Sequence, residues 1–370
     1  MKDVIIIGGG LAGLTSAILL GRAGFDVLVI EKNQYPYHKV CGEYIANEVL
    51  PFLKSLGVEP ERLNATKIKH LQISAPSGRL LEMPLDLGGF GISRQSFDHH
   101  LYEKAISAGT EFLLNTKVYD VKFTNDVFEV EIPGRAPLNA KVVIGTFGKR
   151  SNIDRQLSRK FMQQRSPWMG VKYHVRLDYP DDLIALHNFH EGYCGIAPIE
   201  FSKVNICYLT SRDNLKKHGS ILEMEKQVLY KNPYLQAIFS KAHYLFMKPE
   251  VINEISFGKK EPVWNHILMA GDAAGMIAPL CGNGMAMAIH AGKIAAEECH
   301  RFLKSETSRS QMEQAYSHRW DKLFAQRLWA GRQIQRLFGE KLLTEAAISI
   351  AKNIPPLARF LVKKTHGETF

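Results

Sequence analysis

The chain has 370 residues, 45% hydrophobic and 23% charged, the make-up of an ordinary globular protein of about two domains rather than a disordered one. Its 47 Lys and Arg against 37 Asp and Glu give a net charge of +10. No recognised nucleic-acid motif accompanies that charge, which leaves a basic solvated surface, an anionic substrate or an anionic membrane surface as its explanation.

The first element is Val4 to Gly21, "VIIIGGGLAGLTSAILLG", 18 positions without a charge and near the length of a membrane span. Five glycines interrupt it and no basic region precedes it, so the expectation is a buried strand, a turn and a helix, with no secretion signal. Within it lies Gly8-x-Gly10-x-x-Gly13. Gly8 allows a tight turn, Gly10 lets backbone approach a pyrophosphate, and Gly13 lets the helix pack closely on the strand. The free N–H groups of the helix start at Leu11 and Ala12 face the same phosphates. A second strand, "FDVLVIEK", ends at Glu31, 18 residues after Gly13, where a carboxylate is expected to accept hydrogen bonds from a ribose. Lys32 follows it at the same site.

Further along, "LQISAPSGRLLEMPL" reads as a hairpin around Pro76-Ser77-Gly78, and "LLNTKVYDVKF" alternates as a strand. "VKYHVRLDYP", "LIALHNF", "GYCGIAPI" and "VNICYLT" are β-rich and predict a sheet over about 166–257. "HILMAGDAAGMIAPLCGNGMAMAIHAGKIAAEE" opens as a strand over His266 to Ala270, carries Gly271-Asp272 at its end, and continues through Gly282-Asn283-Gly284 into a long small-residue helix. Residues 301–370 are helical in pattern and strongly basic. Trp320, Leu323, Phe324, Leu328 and Trp329 recur at helical spacing, which favours core packing over lipid contact, and "PLARFLVKK" carries a weaker form of the same choice. There is no internal repeat and no low-complexity linker. Five cysteines (Cys41, Cys194, Cys207, Cys281, Cys299) form no CxxC pair, which argues against a zinc site or disulfide framework and fits a reducing cytoplasm.

The paired glycine loops resemble those of flavoproteins with the p-hydroxybenzoate hydroxylase type of FAD fold, and within that fold the geranylgeranyl reductase-like branch. The resemblance implies an α/β fold: a Rossmann-type FAD-binding domain from 1–62, 91–165 and 258–300, an inserted β-sheet substrate domain from 63–90 and 166–257, and a C-terminal helical segment, 301–370. It implies that Asp272 holds the ribityl hydroxyls, that Gly271, Gly282, Asn283, Gly284 and Met285 bring a helix start to the flavin, and that Val118 meets the adenine through backbone. "SRQSFDHHLYEKA" matches the family's Arg-x-x-Phe-Asp-x-x-Leu helix start, so Arg94 approaches the phosphates or ribityl, while Asp98 caps and charges the first helical turn. "VVIGTFGKRSNIDR" departs from the family's Asp-Gly motif, with Phe147 in the place of the acid, which speaks against direct NADPH use. The electron donor, NAD(P)H or another reductant, stays open.

"HKVCGEYI" is similar to the Cys-Gly-Glu run of geranylgeranyl reductases. The resemblance puts Cys41 beside the flavin, as a proton donor or as a shaper of the ring environment, and has Glu43 start or charge a helix. A small buried filler is the bland reading of the same thiol. "GYCGIAP" is similar to the reductases' Tyr-x-Trp-x-Phe-Pro run: Tyr193 and Pro198 match and make Tyr193 a second catalytic candidate, but Gly195 and Ala197 replace the aromatics. Flavin halogenases carry two tryptophans at a comparable place, and neither is present. The expectation is an FAD-dependent reductase of carbon–carbon double bonds in a long apolar, isoprenoid-like substrate. The alternative is a monooxygenase acting on an aromatic or polyketide-like substrate. A third reading, a flavin-bearing electron-transfer or carrier-interacting protein, rests on the basic helices alone. No metal and no nucleic acid is expected. The chain reads as cytoplasmic, with the basic C-terminal helices as the candidate for peripheral contact with the inner membrane surface. No His or Cys occupies the loop positions that usually carry a covalent flavin link, so acid precipitation should leave the flavin in solution; a yellow pellet would show a covalent bond.

Overall fold

The computed structural model describes residues 1–337 and 341–370. Its first body is built on an eight-stranded sheet. Lys2–Ile7 lies at the centre, parallel to Val27–Ile30 on one side and Leu138–Gly145 on the other, with Glu111–Leu113 and Ile267–Met269 extending the parallel run. The central strand is a continuous apolar run because helices cover both faces of a parallel sheet. Leu11–Arg22 and Gly284–Leu303 pack against each other, and Arg94–Ser107 lies against Leu11–Arg22.

The second body is a nine-stranded, mostly antiparallel sheet in which Trp168–Arg176, Lys203–Ser211, Gly192–Ile199 and Leu183–Phe189 are successive neighbours. The hairpin expected around Pro76-Ser77-Gly78 forms between Thr66–Ser74 and Leu80–Gly91 and joins this sheet through a parallel pairing with Leu183–Phe189. Period-two alternation divides the sheet's faces. Val171, Tyr173, Val175, Cys194, Ile206 and Tyr208 point one way and pack with Met224, Leu235 and Phe239. Lys172, His174, Tyr193, Cys207 and Leu209 occupy the alternate positions.

Three differences from the sequence reading have local causes. The segment 166–257 is not all sheet: Arg212–His218, Ile221–Gln227 and Pro233–Lys241 are helices, each opened by a side-chain cap from Ser211, Ser220 or Asn232. "LLNTKVYDVKF" is not one strand. It breaks between Glu111–Leu113 and Asp120–Thr124, with Asn115 left-handed at φ 51° and the Thr116 N–H bonded to the Glu31 carbonyl. Arg94–Ser107 is capped by Ser93, not Asp98, and Asp98 instead forms ion pairs with Arg94 and Lys39.

The C-terminal segment is helical, comprising Arg309–Trp320, Gln326–Leu337, Lys341–Asn353 and Pro355–Thr365, with a π-helical turn at Asp321–Ala325. Trp320, Phe324 and Leu328 are core residues, whereas Trp329 is exposed. One buried carboxylate secures this segment. Glu48 accepts from Arg327 at 2.8 Å, from Asn283 at 3.3 Å and from the Gly367 N–H, while Asn283 also donates to the Thr365 carbonyl at 2.9 Å. Removing one partner of a buried pair strands the other charge, a loss of about 3–5 kcal/mol. Arg327→Ala should therefore lower the urea midpoint markedly; a curve superimposing on that of the unaltered protein would show that the pair secures nothing.

Candidate active site

One cavity of about 1060 Å³ runs between the two bodies. At one end it meets the glycine loop. Gly8 sits at φ +105°, and a Cβ on it would lie 2.5 Å from the Thr146 carbonyl oxygen. A Cβ on Gly13 would meet the Gly8 carbonyl at 2.2 Å, so Gly13 serves strand–helix packing and does not line the cavity. Gly10 differs. A Cβ there would meet no backbone and would sit at ordinary contact distance, 3.9 Å, from both Arg94 Nη2 and Lys39 Nζ. Two cations therefore converge over a helix start whose cap residue, Gly10, offers no side chain to the free N–H groups. That arrangement fits a pyrophosphate. Asp98 holds both cations in place, bonding Arg94 at 2.7 and 2.8 Å and Lys39 at 2.9 Å.

Glu31 lines the cavity, and its carboxylate accepts from the Gly9 N–H at 2.7 Å and from the Asn33 backbone and side chain at 3.0 Å. Leu11, Ala12, Lys32 and Val118 border the same space. From the opposite side come Gly271, Asp272, Gly282, Gly284 and Met285, where Gly284–Leu303 begins without a side-chain cap. Asn283 turns away, buried toward Glu48 and Thr365. Burial pushes the Asp272 carboxyl up, against the opposing fields of Lys260, Arg94 and Lys149. Burial likewise brings Lys149 and Lys260 down to about 8. Phe147 and Lys149 line the cavity, and Ser151 forms a capping box with Asp154.

The middle of the cavity holds Cys41, Cys207 and Tyr193. Glu43 starts no helix here. It is fully buried at φ 56°, and its carboxylate accepts from Lys172 at 2.5 Å, from the Arg94 N–H at 2.7 Å and lies 2.6 Å from His174 Nε2. Burial raises the Glu43 carboxyl, but Lys172 and the hydrogen bond from His174 outweigh it and hold it below the usual range. Asn205 donates to the Cys41 carbonyl at 3.1 Å. Burial, assisted by Glu43, pushes the Cys41 thiol up, with Arg94 opposing. The Tyr193 hydroxyl is buried without a hydrogen-bond partner among the described residues, and burial drives its titration far upward. Gly195 faces the cavity, while Ala197 is buried beside Ile68 and Leu71.

Beyond these groups the cavity continues into an apolar arm. Leu71, Ile73, Leu81 and Met83 of the hairpin form one wall, and Ile348 and Ala358 of the C-terminal helices another. Sequence reasoning missed this arm, Lys39 and the Lys172–Glu43–His174 cluster. A charged residue and a histidine at positions 172 and 174, on one face of an otherwise apolar strand, were the available signal for the cluster.

Such a cavity takes a dinucleotide at one end and leaves room for a second molecule at the other, the division of space in a flavoprotein oxidoreductase. The chain belongs to the FAD-binding family: the model described as "FAD binding domain" matches residues 1–328. It is an FAD-dependent enzyme with a Rossmann-type cofactor fold. Digeranylgeranylglycerophospholipid reductase 2 of Methanopyrus kandleri is 25% identical over 354 residues, 91% of this chain and 87% of that protein. A geranylgeranyl bacteriochlorophyll reductase-like protein of Thermoplasma acidophilum shares the fold with a TM-score of 0.74 at 20% identity, covering 98% of this chain and 99% of that one. The flavin-dependent brominase Bmp2 shares it with a TM-score of 0.80 at 19% identity, covering 98% and 93%.

Glu31→Ala would remove an acceptor for ribose hydroxyls and leave the Gly9 N–H unpaired. Charge-assisted bonds contribute about 1.5–3 kcal/mol each, so FAD affinity should fall by at least about tenfold. An unchanged dissociation constant in fluorescence titration would mean that the acid serves the loop alone.

Proposed function

We propose that this enzyme reduces carbon–carbon double bonds of a long apolar, isoprenoid or lipid-like substrate. The observation that carries the reading is the continuity of the cofactor end of the cavity with the apolar arm walled by Leu71, Ile73, Leu81, Met83, Ile348 and Ala358. The relative from Methanopyrus, named for reduction of a digeranylgeranyl lipid, supports it. A monooxygenase acting on an aromatic or polyketide substrate is less well supported, since a compact ring system would leave the arm unfilled. The membership of the strands in two sheets supports the division into a discontinuous cofactor domain (1–62, 91–165, 258–300), a substrate domain (63–90, 166–257) and a helical segment (301–370), except that Tyr44–Ala46 of the first piece pairs with Leu80–Gly91 in the second sheet.

Gly8, Gly10, Leu11, Ala12, Glu31, Lys32, Arg94 and Val118 would hold the adenine, ribose and phosphates, and Asp272, Gly282, Gly284 and Met285 the flavin end. Bound and reduced, FAD supplies the hydride equivalent for the double bond. The chain must then provide the matching proton and exclude water. Cys41 suits the first task. Its raised pKa keeps Sγ protonated at neutral pH, and the thiolate left after transfer is stabilised by the Glu43 backbone N–H and by Arg94. Tyr193 lines the same space as Cys41 and shapes it through its ring, its hydroxyl being buried away from the cavity. The apolar arm aligns the chain and keeps bulk water from the reacting carbon.

Cys41→Ser should retain FAD and fold while slowing double-bond reduction by about 10²–10⁴-fold, because a hydroxyl is a far weaker acid than a thiol. In the unaltered enzyme the rate should fall only in the alkaline range, as pH rises through the raised thiol pKa. Single-turnover reoxidation of the reduced enzyme by substrate measures both effects. Full activity of the variant would remove Cys41 from the chemistry.

A further inference from the structure

We propose that Lys341–Asn353 and Pro355–Thr365 form a docking surface for an anionic lipid bilayer, seated on the outside of the wall that closes the apolar arm. Inner positions of the two helices face the cavity: Ile348, Ala351, Ala358 and Val362 recur at helical spacing. Their outer positions are not the polar face that such helices normally present to water. Leu343, Ile350 and Ile354 are each 50% exposed and Phe360 is 54% exposed, with Leu357 at 38%. The exposed charges between them are of one sign. Lys352, Arg359, Lys363 and Lys364 are exposed, and from Leu343 onward Glu368 is the one exposed acid among the described residues.

Apolar tips flanked by long cationic side chains suit an interface where tips enter the acyl boundary and cations rest at lipid phosphates. A protein partner would not call for so uniform a charge. No helix among the described residues is long and apolar enough to cross a membrane, so the contact lies in the plane of the interface. The position of the surface gives it a purpose. These helices pack on the hairpin to form the arm, so a docked surface sets the bilayer against the arm's outer wall. That purpose rests on the lipid-reductase reading above, whereas the docking itself does not.

The test is co-sedimentation of the full FAD-loaded chain with vesicles of phosphatidylcholine alone or with 40% phosphatidylglycerol added (about the composition needed for a strongly negative surface). Binding should favour the anionic vesicles by at least tenfold and weaken with salt. Each cation at such a surface contributes about fivefold, so Lys363→Glu with Lys364→Glu should cost at least 25-fold. Ile350→Glu with Phe360→Glu should abolish binding at all salt concentrations. All four positions are exposed, and retained flavin absorbance verifies folding. No binding by the unaltered protein, or equal binding by the variants, overturns the proposal. So does a dimer in light scattering that the same variants convert to monomer, which would make the face a contact between copies. Reduction of geranylgeraniol is scored separately, in detergent and in vesicles: docking without reduction in either leaves the surface standing and removes the lipid-reductase reading.

Discussion

The ionic cluster at Glu43 is the interaction on which the arrangement of the site depends. Glu43 comes from the loop that leaves the cofactor body, and its partners Lys172 and His174 from the sheet that covers the substrate space. All three are essentially excluded from water. Two such bodies could slide against each other on apolar contact alone, but an unpaired buried carboxylate is costly enough to select one register. That register sets how far Cys41 stands from Cys207 and Tyr193, and hence the width of the cavity at its chemical centre. The Arg94 N–H bond to the same carboxylate extends the constraint to the helix whose first side chain serves the phosphate end.

A second consequence concerns polarity. The cavity is one space with two solvents. Around the glycine loop, cations and free N–H groups favour an anion, and Asp98 keeps the two cations from repelling each other. In the arm, side chains offer almost no polar atoms, so a flexible chain gains from burial without needing specific bonds. The groups of the centre, a high-pKa thiol and an unpartnered phenol, lie where those environments meet.

The cofactor half was legible in the sequence because its signals are local. A glycine loop between a strand and a helix, and an acid at the end of the next strand, fall within 31 residues. Four of the nine strands of the second sheet were legible from alternation and β-rich composition. The rest depended on partners distant in the chain. Glu43 looked like a helix-starting acid because its partners Lys172 and His174 lie 129 and 131 residues away. Asp98 looked like a cap because Lys39 could not be seen beside it. Asn283 sat in a cofactor motif, yet it faces Thr365, 82 residues on. The apolar arm has no contiguous signature at all, since its walls come from residues about 270 positions apart. The helices of 212–241 were missed for another reason: short caps at Ser211, Ser220 and Asn232 announce them, but the β-rich surroundings outweighed those signals.

The family's sequence pattern ends at residue 328, while the outer wall of the arm begins at Lys341. The helices that form this wall are joined to the rest of the molecule at several places: Asn283 bonds the Thr365 carbonyl, Glu48 the Gly367 N–H, Glu345 the turn at Ser77 and Arg79, and Ile348 and Ala358 pack on Leu81. The arm is thus a composite, one wall drawn from the hairpin inside the matched stretch and the other from helices beyond it. A substitution on the helical wall would therefore alter the shape of the arm from a part of the chain that contributes no residue to the glycine loop.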